Sequence, residues 1–204
     1  MNLRAYPPAQ GLYDPANEHD SCGVGFVCHI KNQKSHGIVK QGLGILERLT
    51  HRGAVGADPK AGDGAGILVQ IPDAFFRAAV DFDLPPLGHY GVGMVFLPKD
   101  EAARGEMQTT VERHLNEGGQ TLLGWRDVPV DNSDLGESVL PSEPVVRQVF
   151  VACGDNCPDQ DAFERRLFVV RKRMDNAIRD AGYEKTAYYV ASMSSRTVNY
   201  KGML

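Results

Sequence analysis

Cys22 is the residue of this sequence best suited to nucleophilic chemistry. It lies in the stretch HDSCGVGF, residues 19–26, between an irregular leader and an apolar run. A thiolate attacks amide and ester carbonyls well. Removal of residues 1–21 would leave a free α-amine on Cys22, and its pKa of about 7.7–8.0 suits it to accept the thiol proton. The alternative is a small buried cysteine at the start of a strand, which residue type alone favours.

Arg52 is a second candidate, in the stretch HRG at residues 51–53. A helix is predicted over residues 36–50, and a glycine-rich loop follows it over 50–66. Basic residues and glycine are both common at helix C-termini, so HRG by itself indicates a helix cap. Arg52 gains a chemical role only if the strand of Cys22 packs beside this helix end.

Two other patterns have some features of ligand sites. AGDGAG, residues 61–66, lacks the Lys-Ser/Thr pair of a phosphate-binding loop and does not directly follow a predicted strand. CGDNC, residues 153–157, does not have CxxC spacing and has no second cysteine pair, so it does not match a zinc site. We interpret CGDNC as a loop turn with two incidental cysteines and expect no metal.

The periodicity of the sequence predicts alternating strands and helices. Period-2 and continuous apolar runs indicate strands, and apolar residues at spacings of three and four indicate helices. The predicted strands are 23–30, 67–72, 89–98, 120–130 and 145–153, followed by a strand, a turn at Ser194–Arg196 and a last strand. The predicted helices are 36–50 with Ser35 as N-cap, 73–80 capped by Asp73, 99–117 and 160–182. This order is typical of an α/β or α+β layered domain with two sheets.

Composition limits the function classes. The 204 residues are 42% apolar and 24% charged, with a net charge of −4, which is a globular balance without the basic surplus of a nucleic-acid-binding protein. No stretch is long and apolar enough for a membrane span or a secretory signal. Four cysteines in such a chain do not indicate a disulfide framework, so we expect free thiols and a cytoplasmic location.

Seven stretches, taken in order, carry a family resemblance. They are CGVGF (22–26), the run from GLGILERLTHRGAVGAD to IPDAFFR (42–77), GVGMVFLP (91–98), GWRDVPVD (124–131), EPVVRQVFV (143–151), FERRLFVVRKR (163–173) and VNYKGML (198–204). Together they resemble the N-terminal glutaminase domain of glutamate synthase large chains. This is a class II glutamine amidotransferase domain with the N-terminal nucleophile hydrolase fold.

The resemblance implies roles for particular residues. Cys22 matches the catalytic nucleophile, residues 1–21 match a removable propeptide, and Arg52 matches a substrate-binding arginine of the active site. Residues 22–204 would form the first part of an α+β, four-layer αββα sandwich of two antiparallel sheets. The reaction would convert glutamine to glutamate and ammonia through a γ-glutamyl thioester, and the ammonia would pass to 2-oxoglutarate.

The resemblance also implies parts beyond Leu204. These are an Asn-Gly oxyanion hole, an Arg and an Asp that hold the amino-acid end of glutamine, and the domains for FMN and an iron–sulfur cluster. A small electron-donating subunit is a further expected partner. Loss of an oxyanion donor costs roughly 10²–10³-fold in rate, so we expect residues 1–204 alone to be inactive and not a competent glutaminase. The alternatives are a different class II amidotransferase and a non-catalytic module of the same fold.

Overall fold

The computed structural model describes residues 9–11, 23–49, 58, 60–61, 64–184 and 187–203. Four α-helices are present in these ranges: α1 His36–Arg48, α2 Asp73–Ala79, α3 Glu101–Glu117 and α4 Gln160–Asp180. The strands are β1 Gly64–Gln70, β2 Tyr90–Leu97, β3 Thr121–Asp127, β4 Val145–Ala152, β5 Tyr189–Ser194 and β6 Thr197–Met203. From α1 onward, the predicted order of elements is confirmed.

The strands form two antiparallel sheets. The larger sheet has the order β3-β4-β2-β5, and the smaller one pairs β1 with β6. Strands β5 and β6 are joined by the predicted turn but belong to different sheets, so this turn carries the chain from one sheet to the other. The central strand β2 is buried on both faces along nearly its whole length, which explains why its sequence is continuously apolar rather than alternating.

One hydrophobic core lies between the larger sheet and the helices α3 and α4. The apolar stripe of α4, spaced by three and four residues, is buried here: Phe163, Leu167, Val170, Met174 and Ile178. Helix α3 contributes Met107, Val111 and Leu115. Both helices begin at an aspartate whose side chain accepts a hydrogen bond from a backbone amide of the first turn, which is the usual N-cap arrangement.

A second core lies on the other face of the larger sheet. It contains residues of β2, β4, α2, the smaller sheet and the segments beside α2: Ile71, Phe76, Leu84, Tyr90, Val92, Met94, Phe150 and Val198. Inside this core, the amide of the buried Gln148 donates a hydrogen bond to the Tyr200 hydroxyl at 3.0 Å. This bond joins β4 of the larger sheet to β6 of the smaller one.

Two local predictions are wrong. Residues 23–29 form no strand, and the side chains of Val24 and Phe26 are 93% and 88% exposed. The segment lies against side chains of α1, which offer its backbone no ladder partner. Asp73 is the first residue of α2 rather than its cap. Its carboxylate instead accepts hydrogen bonds from Arg77 and Tyr90.

The fold class is therefore α+β with antiparallel sheets. Helix α1 packs on the smaller sheet, where a Cβ on Gly42 would lie 2.9 Å from Ile67 Cδ1. No helix in the described ranges has the length and apolar character needed to cross a membrane.

Candidate active site

Both sequence-predicted site residues, Cys22 and Arg52, lie outside the described residues. The structure does describe the chain on one side of each. Gly23 follows Cys22 directly, and Leu49 ends the α1 region three residues before Arg52. The structure therefore describes this site through residues close to the two candidates in sequence, Gly23 and Leu49.

Gly23 and Gly25 lie directly against helix α1. A Cβ on Gly23 would be 2.8 Å from Leu49 Cδ1, and a Cβ on Gly25 would be 2.8 Å from Ile45 Cγ2. Side chains with a Cβ do not fit at these separations without displacement, so glycine permits the close approach. The segment runs antiparallel to the helix, with its Cys22 end at the helix C-terminus.

The residues after Cys22 pack beside the C-terminal end of α1, although as irregular chain rather than as the predicted strand. The residue joined to Cys22 contacts Leu49, and Leu49 is the C-cap of α1, the helix that leads to Arg52. Gly23, next to Cys22, and Leu49, three residues before Arg52, are thus in contact at one helix end.

A second contact holds the segment that follows Arg52. The Ser138 hydroxyl donates to Asp58 Oδ2 at 2.6 Å, and the Lys60 amide donates to Asp58 Oδ1 at 2.9 Å. These two hydrogen bonds, Ser138 first, lower the pKa of Asp58. Sequence reasoning missed this contact; its one local signal is Asp58-Pro59, a pair typical of turn initiation.

The CGDNC stretch is a structural turn, as interpreted from the sequence. Cys157 donates its backbone amide to Gly154 O at 3.1 Å, and Gly154 donates its own to Gln120 Oε1 at 3.0 Å. Burial, with a smaller effect of Cys157, raises the pKa of Cys153 to about 11, which makes this thiol a poor nucleophile near neutral pH.

The AGDGAG stretch also acquires a structural explanation. Its last three residues, Gly64–Gly66, belong to β1. A Cβ on Gly66 would lie 2.8 Å from Tyr200 O, so a glycine allows the close pairing of β1 with β6. Within the described ranges, no group of three or more His, Cys, Asp or Glu side chains is arranged to hold a metal ion.

Comparison with known proteins identifies the family. The family model for class-II glutamine amidotransferases matches residues 22–204. The chain belongs to the class-II glutamine amidotransferases. The match begins at Cys22, the residue that the sequence analysis identified as the candidate N-terminal nucleophile.

Relatives within the family are glutamate synthases. The chain is 46% identical to the NADPH glutamate synthase large chain of Bacillus subtilis over 100% of its length, and 42% identical to the NADH glutamate synthase of Schizosaccharomyces pombe over 98%. It is 38% identical to ferredoxin-dependent glutamate synthase 1 of Arabidopsis thaliana over 97%. The resemblance to glutamate synthase is thus confirmed. The chain spans 13%, 10% and 12% of the lengths of these three relatives.

Proposed function

We propose that this chain supplies the nucleophile-bearing part of a glutaminase that hydrolyses glutamine to glutamate and ammonia, with Cys22 as an N-terminal nucleophile exposed by removal of residues 1–21. The observation that carries the proposal is the contact of Gly23 with Leu49, which brings the stretch beginning at Cys22 to the helix end that leads to Arg52. The family match beginning at residue 22 supports the same boundary.

The proposed reaction uses the α-amine and thiol of Cys22. The amine accepts the thiol proton, and the thiolate attacks the side-chain amide carbon of glutamine to form a tetrahedral oxyanion. Collapse of this intermediate breaks the C–N bond, and the proton carried by the amine leaves with ammonia. Water then attacks the γ-glutamyl thioester, which releases glutamate and restores the thiol. In this scheme Arg52 binds the substrate.

The further parts of a glutamate synthase are proposed by analogy with the relatives. The names of three relatives specify NADPH, NADH or ferredoxin, so an electron donor and transfer of ammonia to 2-oxoglutarate are reasonable for the whole enzyme. An iron–sulfur cluster needs about four cysteine ligands, and the described cysteines Cys28, Cys153 and Cys157 do not form such a set. We place FMN and the cluster outside this segment, and a small electron-donating subunit remains a proposed partner.

We also propose that the chain forms part of a four-layer αββα sandwich. The contacts that support this are α3 and α4 on the larger sheet, the larger sheet on the smaller one, and α1 on β1. The domain boundary at residue 22, a cytoplasmic location and the inactivity of residues 1–204 alone belong to the same set of predictions.

The decisive test is the N-terminus and activity of the polypeptide as the cell produces it. We expect the intact mass and N-terminal sequence to begin at Cys22, and glutamine hydrolysis to fall at least about 10³-fold in Cys22→Ala, since the nucleophile is removed. Cys28→Ala is the matched control, because Cys28 is exposed in the same segment, and it should keep full activity.

Arg52→Lys separates the two proposed roles. The variant keeps the positive charge but loses the planar guanidinium, so we expect the KM for glutamine to rise about tenfold with a smaller effect on kcat. A retained leader together with full activity in Cys22→Ala would overturn the proposal. A retained leader with no hydrolysis at all would favour the non-catalytic module.

A further inference from the structure

We propose that a cavity between the second half of α4 and strand β5 binds a small α-amino acid. We call it the α4–β5 cavity, and its lining includes Arg171, Asp175, Tyr183, Tyr188 and Val190. In this proposal Arg171 and Tyr188 hold the carboxylate of the ligand, and Asp175 holds its ammonium group. The inference goes beyond glutamine hydrolysis and does not depend on the proposed catalytic residues.

The cavity has a size that suits a small ligand. Its volume is about 240 Å³, below the roughly 300–1,000 Å³ of pockets that take drug-sized molecules. All of its lining residues belong to the described parts of the chain. It lies on the α4 side of the larger sheet, whereas the smaller sheet packs on the opposite face. The cavity is therefore not part of the contact between the two sheets.

The hydroxyl of Tyr188 is a buried polar group without a partner. Tyr188 is 8% exposed, and within the described structure its hydroxyl makes no hydrogen bond. Burial, and then the charge of Asp175, raise the pKa of Tyr188 well above its usual value, so the phenol is neutral and can donate. A buried donor without an acceptor is unfavourable. An acceptor on a bound ligand would remove this cost.

Arg171 presents a second buried donor at the same cavity. Its Nη2 donates to Val190 O at 2.7 Å, which holds the guanidinium against β5. Its Nε is buried and has no hydrogen-bond partner among the described residues. The charge of Arg171 also acts on Tyr188, so the two groups lie near each other. Since arginine binds carboxylates through parallel N–H groups, the two donors are suited to one carboxylate.

Asp175 decides which kind of ligand fits. It lies four residues after Arg171 on α4 and lines the same cavity. Side chains at this spacing are neighbours, yet these two form no ion pair in the described structure, unlike Arg113 and Glu117 of α3. Asp175 would repel a simple anion, and Arg171 would repel a simple cation. An α-amino acid complements both, because its carboxylate and ammonium groups are attached to one carbon.

The remaining charged groups of the lining are more exposed. Lys172, Arg179 and Glu184 also line the cavity, and all three are exposed at the surface. Exposed charges are screened by water and salt, so they contribute little to binding. We therefore assign recognition to the two buried donors and Asp175.

The test follows hydrogen exchange in the polypeptide as the cell produces it, with glycine as the probe. Saturating glycine should slow amide exchange about tenfold in β5 and in the second half of α4, because binding to the folded state suppresses local opening. Acetate lacks the ammonium group and methylammonium lacks the carboxylate, so neither should protect these amides at the same concentration. Equal protection by acetate would overturn the assignment to an amino acid.

Two variants test the residues assigned to recognition. Tyr188→Phe keeps the ring and removes only the hydroxyl, so the glycine concentration for half-maximal protection should rise at least about tenfold. Asp175→Asn should raise it by a similar factor. Tyr183→Phe is the matched control, because Tyr183 lines the same cavity but its hydroxyl already donates to Glu106. It should leave the half-maximal concentration within about twofold.

A measurement without glycine separates binding from folding. Because the Tyr188 hydroxyl has no partner within the described structure, Tyr188→Phe should unfold at the same temperature as the unmodified protein or at a higher one. A lower unfolding temperature would show that the hydroxyl is bonded within the fold and would overturn the proposal. Absence of protection by glycine, or equal protection in Tyr188→Phe and Tyr183→Phe, would overturn it as well. None of these results bears on glutamine hydrolysis, which Cys22→Ala tests separately.

Discussion

Tyr90 illustrates how a single polar atom is accommodated in the second core. Its ring is fully buried, and its hydroxyl donates to Asp73 Oδ1 at 2.9 Å. Burial, and then the Asp73 carboxylate, raise the pKa of Tyr90 well above its usual value. The other oxygen of Asp73 accepts from Arg77 at 2.9 Å. Asp73 therefore links the start of α2 to the central strand β2.

Replacing Asp73 should destabilise the fold in a pH-dependent way. Asp73→Ala leaves the Tyr90 hydroxyl without this acceptor, and we expect the free energy of unfolding to fall by about 1–3 kcal/mol at neutral pH. The hydrogen bond from Arg77, and then that from Tyr90, lower the pKa of Asp73 below its usual 3.8. The ionised Asp73 carboxylate therefore adds to the free energy of unfolding at pH values above 3.8. This contribution is lost as pH falls through the lower pKa that Asp73 has in the folded state.

Urea unfolding at several pH values checks this prediction, with Tyr90→Phe completing a double-mutant cycle. Asp73→Asn removes only the charge of this side chain. The loss in free energy of unfolding that it causes should become smaller as pH falls below about 4. A cost of Asp73→Asn that stays constant down to pH 3 would contradict the role of the ionised carboxylate. Additive costs in the cycle would contradict the coupling between Asp73 and Tyr90.

At the scale of the elements, helix starts differ in how well their backbone amides are satisfied. Asp100 and Asp159 accept from the amides of Ala103 and Ala162 at 2.8 and 2.7 Å. Ser35 occupies the same position before α1, but its side chain makes no cap hydrogen bond. The helices α3 and α4, which cover the larger sheet, are thus better capped than α1.

This difference predicts unequal effects of alanine at the three caps. Asp100→Ala and Asp159→Ala should each lower the free energy of unfolding by about 1 kcal/mol, the usual loss on removing a side-chain cap. Ser35→Ala is the matched control. It should lower the free energy of unfolding by only about a few tenths of 1 kcal/mol, because its side chain makes no cap hydrogen bond. Thermal unfolding measures all three, and an equal cost at Ser35 would show that the hydrogen bond is not the cause.

At the scale of the whole molecule, one glycine sets how closely α4 lies on the larger sheet. A Cβ on Gly91, in β2, would be 2.7 Å from Leu167 Cδ1 of α4 and 3.4 Å from Ser194 O of β5. Leu167 is a fully buried member of the first core. The absence of a side chain at Gly91 therefore lets the helix pack directly on the central strand.

Gly91→Ala should force α4 and the larger sheet apart. We expect a loss of about 1–3 kcal/mol in the free energy of unfolding, which is typical of overpacking. Gly105→Ala in α3 is the control, since no atom lies within 4 Å of its Cβ position, and it should stabilise by roughly 0.5–1 kcal/mol. A neutral Gly91→Ala would mean that Leu167 moves aside without cost.

Much of the secondary structure and the family could be predicted from the sequence. The apolar stripe of α4 repeats every three or four residues over the whole helix, and the apolar run of β2 is continuous. Both patterns are local, so both elements can be recognised from the sequence alone. The role of Cys22 likewise rests on its local surroundings and on motifs read in order. It stays a prediction, as does that of Arg52, because both lie outside the described residues.

The failures concern segments whose state depends on distant partners. Residues 23–29 have the composition of a strand, but a strand also needs a neighbour to accept its hydrogen bonds, and these residues lie instead against side chains of α1. The strand order β3-β4-β2-β5 and the bond from Ser138 to Asp58 join residues far apart in sequence. Periodicity records which face of an element is apolar, whereas the choice of partner is made by packing and hydrogen bonding in the folded chain.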